Sequence, residues 1–248
     1  VKSPVTGVML AHEVLDALPV ERLVFRQNKL MRQGLTLVND RSESLLTFAE
    51  LPLSSSLINS LKDISDCIGL HIPPRNVPDG WNTEWHTDLY PWFKKAGNAM
   101  IKGQLLIIDY VLEASRYYSS SRLAGTIITY EKQKASGELL SNPGKCDITS
   151  HLCLETLNYF AQENGWNLLG ETRQGQALLA LGLSERLHSL QKLPAEKLSI
   201  ALQRRESLLR LVDPAGLGEF RWIAFEINKK ITQSQISFRS RFLEDPII

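Results

Sequence analysis

The sequence predicts an α/β layer fold. Three observations carry that prediction. Two wholly apolar runs, Val8-Met9-Leu10-Ala11 and Leu105-Leu106-Ile107-Ile108, read as buried strands, and an acidic residue follows each, Glu13 and Asp109. From Trp85 onward, helical and strand-like segments alternate. Phe220 to Ile227 is mostly apolar on both faces, with Phe220, Trp222 and Ala224 beside Glu226 on one and Ile223, Phe225 and Ile227 beside Arg221 on the other. That is the pattern of a strand inside a sheet covered on both sides.

The elements follow in order. After the Val8 strand, Pro19 limits whatever turn or short helix comes next. Leu23, Phe25, Leu35, Leu37, Leu45 and Phe48 lie in short segments broken at Gln27-Asn28, Gln33-Gly34 and Asn39-Asp40. This predicts two or three antiparallel strands over 20–53. Ser54 to Ile64 reads as a short helix, and Gly69 to Gly80, with three prolines, as a loop. Trp85, Leu89, Trp92, Phe93, Ala96 and Met100 have helical spacing, with a cap expected at Asn82 or Thr83 and Pro91 as a point of kinking or later start. The run at Leu105 reads as a central parallel strand. Thr149 to Asn164 reads as a helix stopped by Gly165, Leu168 to Gln174 as a strand, and Ala177–Leu183 and Ala195–Leu211 as helices. Residues 231–248 read as a loose tail.

Composition narrows the function classes. In 248 residues, 28 Lys and Arg stand against 27 Asp and Glu, a net charge of +1 that is balanced in both halves. No nucleic-acid arm is expected. No apolar run approaches the ~18 residues of a membrane span. Cys67, Cys146 and Cys153 lack CxxC spacing, which argues against a disulfide scaffold and for a reducing compartment. No signal peptide is evident, and a start at Val1 rather than Met suggests either a preceding segment or removal of the Met by processing.

Ligands of open α/β sheets bind beyond the carboxyl ends of the strands. If the Val8 and Leu105 strands are adjacent and parallel, Glu13 and Asp109 face one crevice, where paired carboxylates could grip a guanidinium or ammonium group. Each could instead be a capping or turn carboxylate. His12-Glu13-Val14-Leu15-Asp16 departs from the zinc motif HExxH only at its last position, but it starts where a strand ends and shows no third ligand. No metal is expected. His71, His86, His151 and His188 are scattered, and no G-x-S-x-G elbow anchors a hydrolase triad. Asp147 and Thr149 are expected to cap the following helix, with His151 in its first turn. Gly216-Leu217-Gly218 precedes a strand and reads as a turn.

Five stretches together resemble the MidA family of class I S-adenosylmethionine-dependent methyltransferases. Ala11-His12-Glu13-Val14-Leu15-Asp16-Ala17-Leu18-Pro19-Val20 resembles the family's "ANE-x-LDALPV". Thr83-Glu84 resembles its "SE", and Leu106-Ile107-Ile108-Asp109-Tyr110 its "LLIDYG". Gly125-Thr126 with Pro143-Gly144 to His151 resembles "GT…PG-x-x-DITAHV", and Gln174-Gly175 to Gly182 resembles "TQG-x-FL-x-x-G". The departures are His12 for Asn, Val111 for Gly, Gln133 for His, Cys153 for Asp and Ala177 for an aromatic residue. The family's glycine-rich cofactor loop has no counterpart, so cofactor-binding residues are not assigned.

The resemblance implies a Rossmann-like class I sheet lacking its first strands. The Val8 and Leu105 runs would be the fourth and fifth strands, over residues 1–19 and 81–230, with an antiparallel segment inserted at 20–80. It implies methyl transfer from S-adenosyl-L-methionine to a protein arginine nitrogen, as in a mitochondrial member that acts during respiratory complex I assembly. Glu13 and Asp109 would be catalytic, while Asp16, Glu84, Tyr110, Asp147, Thr149 and His151 would shape the substrate site. A protein substrate is implied, in the bacterial cytoplasm or the mitochondrial matrix. A non-catalytic assembly protein derived from this fold is the alternative. With the first strands missing, self-association through the exposed edge of the Val8 strand is expected.

Overall fold

The computed structural model describes residues 3–40, 43–229 and 240–245. In chain order, β1 is Val5–His12, β2 Glu21–Arg26, β3 Lys29–Asp40 and β4 Glu43–Leu51. Helix α1 is Ser55–Ile68, β5 Asn82–Trp85, α2 Leu89–Asn98 and β6 Met100–Asp109. Short elements follow: β7 Val111–Leu112, α3 Ala114–Tyr117, β8 Ile128–Glu131, β9 Lys134–Ser136, β10 Asp147–Thr149 and β11 Leu152–Cys153. The chain continues through α4 Leu154–Glu163, β12 Asn167–Arg173, α5 Gln174–Ala180, α6 Leu183–Gln191, α7 Leu198–Val212 and β13 Arg221–Asn228. Of the tail expected over 231–248, only 240–245 lie within the described residues, with a 3-10 turn at Arg241–Leu243.

Two compact units divide the chain. The first draws its described residues from Val1–Glu13, Lys94–Tyr110 and Ala161–Ile248, the second from Val14–Phe93 and Val111–Phe160. In the first unit a four-stranded sheet runs β1-β6-β13-β12. β1 and β6 are adjacent and parallel, and β13 and β12 complete the sheet antiparallel. The apolar run of β6 is central, as its composition requires, with Leu105 and Ile107 fully buried against Ile223 and Phe225 of β13. Gly103 lies opposite Gly7 so closely that a Cβ on Gly103 would strike the Gly7 carbonyl. The strands can approach there only because Gly103 has no side chain; a Cβ on Gly7 would meet nothing within 4 Å.

Not every strand expectation survives. β1 exists, but it is not buried: Val8 is 74% and Leu10 61% exposed. Val8 and Leu10 share a face of β1 that the described residues leave uncovered, whereas Ala11 on the other face is 2% exposed. Among the described residues β1 pairs only with β6 and stands at the sheet edge. β13 does lie inside the sheet, between β6 and β12.

In the second unit an antiparallel sheet runs β4-β3-β2-β5. The turn at Gln27-Asn28 is as expected, both residues having positive φ. Gln33-Gly34 does not break the chain; it lies inside β3, opposite Glu50 and Ala49. Ser54 caps α1 by accepting the Leu57 N–H at 3.2 Å, and the helix runs a turn further than expected before Gly69 ends it at φ +68°. Asn82 and Thr83 do not cap a helix; they pair with β2 as part of β5. Helix α2 starts later, at Leu89, so Pro91 falls in its first turn, where its missing N–H costs nothing. Asp147 and Thr149 likewise form β10 against β8 instead of capping α4, which begins at Leu154. The core of this unit gathers Trp81, Ala114, Tyr117, Tyr118 and Cys153, and the Trp81 indole N–H donates to the Ser119 carbonyl at 3.0 Å.

Candidate active site

The carboxyl ends of β1 and β6 meet in the first unit. His12 stands opposite Ile108, and the Glu13 N–H donates to the Ile108 carbonyl at 3.0 Å. Glu13 itself has φ +49°, a left-handed conformation uncommon for a residue with a Cβ. This turn aims its side chain outward, half exposed, with the carboxylate 3.5 Å from His12 Nε2. Asp109 behaves differently. It is fully buried, its Oδ1 accepts the Tyr110 N–H at 2.8 Å, and it lies opposite Arg221 of β13 in the sheet ladder.

An aromatic residue completes this corner. Because β13 runs antiparallel to β6, its beginning lies at the carboxyl end of β6. Phe220, just before β13, thereby packs edge-on to His12 at 6.1 Å and against Tyr110 at 4.1 Å. Sequence reasoning placed Phe220 only as a strand residue. The signal that it belongs at this end was the direction of the last strand, which the apolar pattern does not encode.

The other residues that the sequence nominated belong to the second unit. Asp16 is 4% exposed, and its carbonyl accepts the Ser150 N–H at 3.0 Å. Glu84 is fully buried in β5; its Oε2 accepts the Thr126 N–H at 2.8 Å and the Thr126 hydroxyl at 2.9 Å. Burial pushes the Glu84 carboxyl up, against the pull of the Thr126 donors and the Arg22 charge. The His151 N–H donates to Thr126 Oγ1 at 3.1 Å, and burial together with Arg122 and Arg116 lowers the pKa of its ring. His151 is not in a helix; it lies between β10 and β11. Asp147 is exposed and Thr149 half-buried, paired with Tyr130 and Ile128 of β8.

His86, not expected to function, is 5% exposed and shares a 3.0 Å hydrogen bond between its Nε2 and the Ser150 hydroxyl. Desolvation lowers its pKa to about 4. The near-HExxH stretch does not form a helix. His12 ends β1 and Asp16 lies in the turn beyond, so the two do not share a helical face. Among the described residues no group of three His, Cys, Asp or Glu is placed to hold a metal ion, and no helix is long and apolar enough to cross a membrane.

The fold has solved counterparts. The chain is similar to a COG1565 superfamily member from Burkholderia thailandensis bound to S-adenosyl-homocysteine, with 24% identity and a TM-score of 0.75 over 90% of this chain and 54% of that one. A native crystal structure of a COG1565 protein from the same organism gives the same identity and TM-score, with 90% of this chain and 56% of that one covered. The chain therefore spans about half the length of these structures, and the likeness supports its mixed α/β fold. No curated protein matches the chain. Residues 1–172 match a family described as "Putative S-adenosyl-L-methionine-dependent methyltransferase". With that match across well over half its length, the chain belongs to this S-adenosyl-L-methionine-dependent methyltransferase family.

Proposed function

We propose that this chain supplies the acceptor side of a MidA-like methyltransferase that modifies a protein arginine nitrogen. The observation that supports this reading best is the corner at the ends of β1 and β6. There the half-exposed Glu13 carboxylate adjoins His12, whose ring packs on Phe220, which in turn packs on Tyr110. A carboxylate beside aromatic surface suits a guanidinium: the anion takes charge-assisted hydrogen bonds and ring faces attract the delocalised cation. Arginine stays cationic at any ordinary pH. Glu13 would hold charge on the far nitrogens and orient the one to be modified, so positioning carries much of the rate. Buried Asp109, opposite Arg221, would hold the Tyr110 backbone in place. Taken by itself, the second unit offers Asp16, Asp147, Thr149 and His151 as candidate acceptor-binding residues, with buried Glu84 held on Thr126.

The residues present do not by themselves fit the family's cofactor. The ends of β1 and β6 lead into His12-Glu13 and Asp109-Tyr110, and neither opens a glycine-rich turn into a helix that could cradle the nucleoside and amino-acid groups. No chemical step through S-adenosylmethionine is therefore derived from these residues. The methyltransferase domain is read as residues 1–19 and 81–230, with 20–80 inserted. As a MidA-like enzyme it would work in the bacterial cytoplasm or the mitochondrial matrix on a protein substrate, a respiratory complex I subunit being the kind its resemblance suggests.

The test uses the full-length protein with tritiated S-adenosylmethionine and an arginine-containing acceptor protein. Label recovered as methylarginine is the expected result. Label on lysine or glutamine overturns the arginine assignment. Stable acceptor binding without any transfer favours the non-catalytic assembly reading.

A further inference from the structure

We propose that Glu84 is a positioning residue that sets the place of His151 through Thr126, and that it does not itself touch substrate. The inference rests on the reading of His151 as part of the acceptor site. Three stretches far apart in sequence, Thr83-Glu84, Gly125-Thr126 and Ser150-His151, are joined by hydrogen bonds whose directions follow from the groups involved. The His151 N–H can only donate, so at 3.1 Å Thr126 Oγ1 accepts from it. The hydroxyl proton is then directed to the Glu84 carboxylate, 2.9 Å away, which also takes the Thr126 N–H at 2.8 Å. One buried carboxylate thereby fixes both the backbone and the hydroxyl rotor of Thr126, and the rotor fixes the His151 amide.

Two further features fit a clamp and not a ligand. Gly125 has φ +75°, and a Cβ there would strike the Glu84 carboxylate, so the glycine is what lets the carboxylate sit under the turn. Glu84 has no exposed surface, and Thr126 is 7% exposed. A guanidinium could reach Glu84 only by opening the turn that Glu84 itself holds shut. On the neighbouring residue, the Ser150 N–H is held by the Asp16 carbonyl at 3.0 Å and its hydroxyl by His86 at 3.0 Å. Consecutive amides at 150 and 151 are thus tied to two different partners, which defines the backbone that carries the His151 ring.

The test begins with this chain alone and hydrogen exchange. Thr126→Val keeps the shape and removes the hydroxyl; exchange at the His151 amide should rise by about tenfold, the scale of one lost hydrogen bond, while Ile107 in β6 is unchanged. Thr126→Ser, which keeps the hydroxyl, should retain protection. In the full-length enzyme Thr126→Val should raise KM for the acceptor protein by about tenfold and leave KM for S-adenosylmethionine unchanged, with Thr126→Ser restoring it. If Thr126→Val does not fold, the unaltered chain decides: a slowly exchanging Thr126 hydroxyl proton close to the His151 amide by NMR is expected, and a rapidly exchanging one overturns the relay. Unchanged His151 exchange in Thr126→Val also overturns it, whatever the enzyme's activity. A protected relay in a full-length protein that transfers no methyl group overturns the methyltransferase reading instead.

Discussion

The ring of Tyr110 lies 4.1 Å from that of Phe220, tilted by 40°, although the two residues are far apart in sequence. Antiparallel pairing of β13 with β6 puts them together at the carboxyl end of the sheet, where Glu13 also emerges. This corner is where charge and aromatic surface coincide, and the first prediction concerns the charge. In a protein spanning the full length of the solved relatives, Glu13→Gln should lower methyl transfer by about 100-fold, the scale of losing a key electrostatic group. Because Glu13 is half exposed, the melting temperature should hardly change. Near-normal transfer by this variant in a radiolabel assay would make Glu13 a turn residue.

The aromatic surface can be tested separately. Tyr110→Leu keeps an apolar side chain but removes the ring face. If the ring contributes cation–π attraction, KM for the acceptor should rise by about five- to tenfold with little change in kcat. A fall in kcat with KM unchanged would mean that Tyr110 acts on the chemical step and not on acceptor binding.

His86 makes stability depend on pH. Its folded pKa is depressed to about 4 from an ordinary 6.5, because burial disfavours the imidazolium. The unfolded chain therefore takes up the proton first. The stability that neutral His86 supports is complete above pH 6.5 and is lost as pH falls through that value toward 4. The full shift corresponds to ~3 kcal/mol. Glu84 works in the opposite sense: its folded pKa is raised, so its contribution declines as pH rises from 4.5 through the folded value. Urea unfolding of His86→Gln isolates the histidine. The variant should lose less stability than the unaltered chain between pH 7 and pH 5, and equal losses would show that His86 is not the titrating group.

Much of this arrangement was legible in the sequence because side-chain pattern records burial. The β6 run, the two-faced β13 and the helix that begins near Ser54 all follow from residue type and spacing. What pattern does not record is pairing. Val8 and Leu10 are as apolar as any core strand, yet they are exposed, because the described residues leave their face of β1 uncovered while the face that carries Ala11 is buried. Asn82 and Asp147 look like caps because short polar side chains favour helix starts; the partners β2 and β8 drew both into strands. Glu84 was legible as a conspicuous acid but not as a buried one, since its burial depends on a turn at Gly125-Thr126 some forty residues away.

Cofactor affinity offers a direct check on the ends of β1 and β6. With no glycine-rich turn at the ends of β1 or β6, the 248-residue chain should bind S-adenosylmethionine weakly or not at all. A low-micromolar dissociation constant by calorimetric titration would show that its own residues form a cofactor cradle after all.

The edge of β1 gives the last prediction. Among the described residues β1 pairs only with β6, and the Glu13 N–H points to Ile108 of that strand. Amide directions alternate along a strand, so the Ala11 and Met9 N–H groups also point to β6, while those of His12, Leu10 and Val8 point away. The outward amides therefore have no ladder partner among the described residues, and the apolar side chains of Val8 and Leu10 stand exposed beside them. No proline or charged residue interrupts Val8–Ala11 to discourage pairing. In a monomer, hydrogen exchange should be fast at Val8 and Leu10 and slow at Met9 and Ala11. As the concentration is raised, protection should spread to Val8 and Leu10 if a second copy pairs along the edge, and light scattering should report the larger species at the same concentrations. Strong protection of all four amides in a dilute monomer would mean that another element covers the edge.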